Sequence, residues 1–373
     1  MGELTVQSIL SRHLISAREQ RGFALHQHKA LSKLSVCRTA ALGGHTQYCE
    51  KGHVNGVWYN SCRHRACQQC QGLASERWLE RTEALLLDST HHHIVFTLPS
   101  ETHDWWRYNR EKISDLLFKT VLDTLKVFYE DPKVLGAQPG ILMALHTWGR
   151  SLNLHPHIHV LISDGGLTSS GEWVESKQKV FIPRKQIMQK FRGKFLSRLK
   201  RSMKDADWNH LPNESAWDKA QKFNKMYGKQ WVVNFTKPYK HGKGVAKYLS
   251  KYVKRSPFKN SQLVYADDDR ITFQYQSHQT QGREKMSLSP VDFISRLMEH
   301  APLFGKSLVR YCGLYTASNR KKLAIAKEAI GQKITEILEP VSWQEFLQAL
   351  GKEQRCEVCG STLIHGQVIS KKR

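Results

Sequence analysis

Two apolar runs, residues 141–148 and 154–163, flank a short turn holding Gly149 and Asn153, and they limit the fold more than any other stretch. Runs of this length between turn residues read as neighbouring antiparallel strands. Residues i and i+2 of a strand share a face. The second run begins LHPHIHVL, so His157 and His159 project together while Ile158, Val160 and Ile162 face the other side. A lone histidine on a strand is usually packed and hydrogen-bonded in a core. Two imidazoles side by side instead point to a divalent-metal site. His146, across the turn, is the first choice for a third ligand, with His93 and His155 behind it.

The rest of the chain alternates. Strands are expected at 93–98 (stopped by Pro99), 180–182, 231–235, 263–266 and 271–276, and Gly165-Gly166 is expected to end the histidine strand. Helical spacing marks 4–35, 74–88, 104–130, 184–204, 214–228, 243–255 and 290–300. Strands interleaved with helices and joined partly by hairpins predict an α+β protein with one antiparallel sheet. Beyond residue 300 the chain is basic and weakly patterned.

Eight cysteines are spread unevenly: five between Cys37 and Cys70, one at Cys312, and a pair at Cys356 and Cys359. Residues 37–72 are too poor in apolar side chains to fold without a staple. Interleaved histidines and the absence of a signal-peptide core favour metal over disulfides. Cys67 and Cys70, two residues apart, can reach one Zn²⁺ from a tight turn. Cys49 and His53, with Gly52 between them, are the natural second pair. Cys37, His45 and Cys62 stay open as alternates or as ligands of a second ion. This zinc is expected to be structural. Cys356-x-x-Cys359-Gly360 has no evident partner pair in the sequence.

Charge narrows the function. Fifty-seven Lys and Arg against 33 Asp and Glu give +24 and a pI near 9.7, which favours a polyanion such as DNA. No run reaches the ~18 apolar residues of a membrane helix, so the expected place is the cytoplasm, at the nucleoid. Residues 241–255 read HGKGVAKYLSKYVKR, putting Tyr248 and Tyr252 one above the other on an expected helix. Lys247, Lys251, Lys254 and Arg255 surround them as contacts to a DNA backbone. A phenol is a weak nucleophile at neutral pH, but nearby cations and a metal-polarised phosphate favour its attack. Taken alone the two tyrosines read as core contacts; beside the histidine strand they read as nucleophiles. No GxxxxGK[ST] loop occurs, so no nucleotide cofactor is expected.

With these motifs in hand, the chain resembles the HUH endonuclease superfamily, and within it the rolling-circle transposases of the insertion-sequence ninety-one family, two-tyrosine type. CRTAALGGH with SCRHRACQQCQ resembles the family's zinc domain; HIVFTLP, HTWG, HPHIH and DGG its catalytic core; YLSKYVKR its tyrosine helix. PVDFISRLMEH and VRYCGLY resemble its C-terminal segment. Gly52 stands where the family has a second cysteine, which brings His53 forward as the replacement. The resemblance implies an antiparallel HUH sheet flanked by helices behind an N-terminal zinc module. It implies cleavage of single-stranded transposon ends through a 5′-phosphotyrosine, with Mg²⁺ or Mn²⁺ at His157 and His159 and joining to target DNA. The expected organisation is a helical segment (1–36), a zinc-binding DNA-binding module (37–72), a catalytic domain (73–300) and a basic C-terminal segment (301–373), with self-association left open. Two competing readings are a plasmid replication initiator or relaxase, which shares the chemistry, and a non-catalytic zinc-finger DNA-binding protein.

Overall fold

The computed structural model describes residues 4–176, 182–240, 244, 246, 247, 256–277, 280–333, 340–351 and 354–371. The chain opens with α1 (Val6–Gln20), capped by the Thr5 hydroxyl accepting from Ser8 N–H, and α2 (Leu25–Ser35). The hairpin β1 (Gly44–Cys49) and β2 (Val54–Tyr59) follows, then α3 (Gly72–Leu85) and β3 (His91–Thr97). The helix expected over 104–130 divides into α4 (His103–Tyr108) and α5 (Arg110–Tyr129). It breaks at Asn109, whose carboxamide donates to the Asn209 carbonyl (2.7 Å) and accepts from Asn209 N–H (2.8 Å). An asparagine that finds backbone partners elsewhere gives up its helical turn.

The central hairpin is β4 (Gln138–Trp148) and β5 (Leu154–Leu167), followed by β6 (Trp173–Glu175), α6 (Arg184–Ser202), α7 (Ala216–Gly228) and β7 (Val233–Phe235). β8 (Leu263–Ala266), β9 (Ile271–Gln276) and β10 (Arg283–Leu288) form a small meander before α8 (Pro290–Glu299). Four further elements lie in the stretch that the sequence left unpatterned: β11 (Val309–Gly313), α9 (Arg320–Ala329), α10 (Trp343–Ala349) and β12 (Leu363–Ile369). The fold is α+β, and its main sheet runs β11-β4-β5-β3-β7 with β6 paired to β5, every neighbour antiparallel.

β5 lies mid-sheet, so both its faces are covered. Ile158, Val160 and Ile162 join Ile94, Phe96, Ile141 and Met143 in a core closed by α5 and α6. The opposite face places Leu142, Ala144 and Leu161 against Trp78 and Leu79 of α3 and Leu323 and Ala326 of α9. β5 does not end at Gly165-Gly166 but continues to Leu167. The Trp173 indole lies over Gly165, where a Cβ would stand 2.3 Å from the ring, so glycine here makes room for a neighbour and not for a turn.

A second unit gathers α1, α2, β9 and α8 around Phe258, Phe273 and Phe293. Cys37, Cys62 and Cys67 belong to this core, which therefore draws on segments expected to be separate. Leu152, at the tip of the β4–β5 hairpin, is buried in it although its φ is +61°. The strand expected at 180–182 falls largely outside the described residues, as does most of the helix expected at 243–255.

Candidate active site and metal centres

The antiparallel register of β4 and β5 sets His146 directly opposite His157. On that same face His159 follows two residues later, and the ligand nitrogens of His146, His157 and His159 all lie within 4.8 Å of one another. All three imidazoles are buried. His157 Nδ1–H donates to the His155 carbonyl at 2.6 Å, which leaves the lone pair of neutral His157 on Nε2. His159 Nδ1 is 2.8 Å from His93 Nε2, and the two rings stack 5.1 Å apart. In the tautomer where His159 donates to His93, its Nε2 lone pair faces that of His157 across 3.1 Å. Adjacent ligands on an octahedral ion at about 2.1 Å stand about 3.0 Å apart, so the donor set fits a shared cation.

Burial pushes His146 and His159 well below the usual imidazole range and takes His157 and His93 down to about 4. Neutral rings keep their lone pairs for a metal. His93 supports His159 from outside the three-nitrogen group, and His155 contributes its carbonyl.

The hairpin tip is tied down by residues that the spacing arguments did not single out. His300 Nε2–H donates to the Leu152 carbonyl (3.2 Å), and its Nδ1 accepts from the Thr147 hydroxyl (3.1 Å). Trp148 stacks on His146 with centroids 5.1 Å apart and planes at 13°. At the far end of the face the Tyr315 hydroxyl lies 2.6 Å from His91 Nε2 and accepts from Leu87 N–H. His300 and Tyr315 lie in or beside the segments PVDFISRLMEH and VRYCGLY, so only the resemblance marked their neighbourhood.

Tyr248 and Tyr252 lie outside the described residues, as do Lys251, Lys254 and Arg255. What precedes them is placed: Tyr239 bridges to His91, and Ala246 is fully buried with Ala144 and Leu161. Ala144 and Leu161 sit on the strand faces that carry His146 and His159, so the chain crosses the histidine side of the sheet just before the tyrosines. Lys247 is exposed.

The cysteines do not form the set expected from the sequence. Cys49 and His53 do not meet Cys67 and Cys70; the four divide between two clusters. Cys67 and Cys70 gather with Cys37 and Cys62, with Sγ separations of 3.4 Å (Cys37–Cys70), 3.5 Å (Cys37–Cys67) and 3.7 Å (Cys62–Cys70). Four thiolates at about 2.3 Å from a tetrahedral Zn²⁺ stand about 3.8 Å apart. Hydrogen bonds from Cys37, Cys62 and Cys67 lower the Cys70 thiol below its ordinary range. Cys49 and His53 meet Cys356 and Cys359 instead. The spacing rule missed this pairing because strand order sets it: β12 follows Cys359 and pairs with β1, which ends at Cys49. His45 lies beside His365 on the same two strands, their rings tilted at 55°, and joins neither cluster.

Fold and site together define a basic α+β protein in which two clusters of cysteines, with the spacing of metal ligands, accompany a sheet faced with histidines. Residues 140–322 match the family described as "Putative transposase", and residues 9–98 match the "Transposase zinc-binding domain" of the IS91 type. The chain is 31% identical over 345 residues to the "Putative transposase y4qJ" of Sinorhizobium fredii, covering 89% of this chain and 87% of that protein. It is 29% identical over 364 residues to the "Transposase for insertion sequence element IS801" of Pseudomonas savastanoi pv. phaseolicola, covering 94% of this chain and 86% of that one. No solved structure matches. The chain belongs to the IS91 family of transposases. Among the described residues no helix is long and apolar enough to cross a membrane.

Proposed function

We propose that the chain nicks single-stranded DNA at the ends of its own element and rejoins it to target DNA through a 5′-phosphotyrosine on Tyr248 or Tyr252. The observation that carries this reading is the convergence of His146, His157 and His159 on the sheet face where Ala246, two residues before Tyr248, is buried. These imidazoles would hold Mg²⁺ or Mn²⁺, and a group of three nitrogens without a carboxylate suits Mn²⁺ better. Bound there, the ion would polarise the scissile phosphate and offset the charge that builds on its oxygens. The protein's own part is to fix the rings: the His155 carbonyl holds His157, and His93 holds His159. Lys247, with Lys251, Lys254 and Arg255, would grip the backbone on either side of the break.

In the cleavage step the tyrosine oxygen bonds to phosphorus and the bond from phosphorus to the 3′-oxygen breaks. The phenol loses its proton to solvent, and the departing oxygen takes one up as a 3′-hydroxyl. Joining reverses the exchange, with an acceptor 3′-hydroxyl attacking the phosphotyrosine. One phosphodiester is traded for another, so no nucleotide is consumed. Two tyrosines would let one hold a cut strand while the other attacks.

The test incubates the full chain and Mn²⁺ with labelled single-stranded element ends. A protein–DNA band that survives SDS is expected from the wild type. His157→Ala should lower it about 10³-fold, the several kcal/mol that a metal site supplies. Tyr248→Phe with Tyr252→Phe should remove it. A band of undiminished strength in the tyrosine double variant would sink the reading.

A further inference from the structure

We infer that Cys49, His53, Cys356 and Cys359 form a second zinc site, separate from the four-cysteine cluster, which clasps the C-terminal strand onto the N-terminal module. The four ligands come from two turns about 300 residues apart in sequence. Cys49 Sγ is 3.6 Å from Cys359 Sγ and 3.5 Å from His53 Nδ1, and Cys356 Sγ is 3.7 Å from that nitrogen. A tetrahedral Zn²⁺ with bonds of about 2.3 Å to sulfur and about 2.0–2.1 Å to nitrogen sets its ligands about 3.8 Å apart for two sulfurs and about 3.6 Å for sulfur and nitrogen. The cluster already has those edges, and all eight cysteines of the chain are free.

Both turns are shaped to present ligands. In the first, Gly52 N–H donates to the Cys49 carbonyl (2.8 Å) and Cys49 N–H to the His53 carbonyl (3.1 Å), with Gly52 at φ +80°. In the second, Gly360 N–H donates to the Cys356 carbonyl (2.9 Å) and Cys356 N–H to the Ser361 carbonyl (2.8 Å), with Gly360 at φ +72°. Each turn thus closes by paired backbone hydrogen bonds around a glycine in the left-handed region. The first turn joins β1 to β2 and the second leads into β12, whose Leu363 pairs with Cys49. An ion at this point closes the open end of the β12-β1-β2 sheet.

Apart from its ladder to β1, β12 has little to hold it: Ile364 and Val368 are exposed, and none of its side chains is fully buried. A three-stranded sheet with so small a buried face gains its order from a staple, so metal and strand should be lost together. The inference does not depend on the DNA chemistry, and its failure would leave that reading untouched.

The test counts thiolate-bound zinc in the full chain as the ion released when the thiols are titrated with a mercurial. This readout passes over any ion held only by imidazoles. The wild type should release two zinc ions per chain. Cys356→Ser with Cys359→Ser should release one, with trypsin then cutting after Arg355. His53→Cys, which keeps a fourth ligand, should release two. One ion from the wild type, two from the double variant, or fewer than two from His53→Cys would each overturn the second site.

Discussion

The histidine face and the second cysteine cluster use similar donors but are assembled by different means. His157 and His159 are neighbours on one strand, and His146 faces them across a hairpin turn of a few residues. Their meeting follows from strand periodicity and register, inside a sheet covered on both faces. Cys49 and His53 meet Cys356 and Cys359 only because the last strand returns to pair with the first. One site is a product of local geometry and is held by core packing. The other is a product of chain topology and closes a sheet with little core of its own. A site of the first kind should survive loss of its metal as a fold; one of the second kind should not.

The sharpest break of that contrast is at the four-cysteine cluster, which sits inside the second core. Cys67→Ser should release zinc and unfold α1 and α2, since a structural zinc site is worth on the order of 10 kcal/mol. His157→Ala, by contrast, should lower the transition only by what a buried cavity costs, with zinc content and α1 and α2 retained. Zinc content and melting temperature measured on both variants check this; a Cys67→Ser protein with full zinc and an unshifted transition would refute the assignment of a structural staple.

A smaller effect tests whether the histidine face is held by its supporting residues. His93→Gln keeps the bulk beside His159 but alters the hydrogen bond at its Nδ1. Removing such an outer partner typically weakens metal affinity about 10- to 100-fold. Calorimetric titration with Mn²⁺ should show that loss with the far-ultraviolet spectrum unchanged. Equal affinity in the variant would mean that the His93 contact is packing and not support.

How far the sequence reveals these regions follows the same division. The alternation in LHPHIHVL shows which histidines share a face, because a strand repeats every two residues. The turn at Gly149–Asn153 shows that His146 lies across from them. The partition of the cysteines is not legible, since spacing says which residues can share a turn but not which turns meet. The C-terminal elements are missed because β11 and β12 are short and only partly covered, so neither carries a clean hydrophobic alternation. His300 and Tyr315 act through a carbonyl, hydroxyls and one imidazole far away in sequence, and no local pattern marks such contacts.

The smallest expected effect concerns pH, and it separates packing histidines from thiolate staples. His91 is fully buried, its Nδ1–H donating to the Ser89 carbonyl and its Nε2 accepting from the Tyr315 hydroxyl, with His92, Asp88 and Asp164 nearby. Burial lowers it to about 4. In the unfolded chain the same ring titrates near the usual value of about 6.5. Between those values the unfolded state binds the extra proton, so stability is present above pH ~6.5 and falls as the pH drops towards 4. From pH 7 to pH 5 this single group should cost about 2 kcal/mol. Zinc release in acid and the remaining carboxylates affect wild type and His91→Gln alike, so they cancel in the difference between the two proteins. Denaturant unfolding at both pH values should therefore show a shallower loss for His91→Gln. Equal losses would mean that His91 is reached by water and protonated in the folded state, and the sheet face it anchors would be wetter than its packing implies.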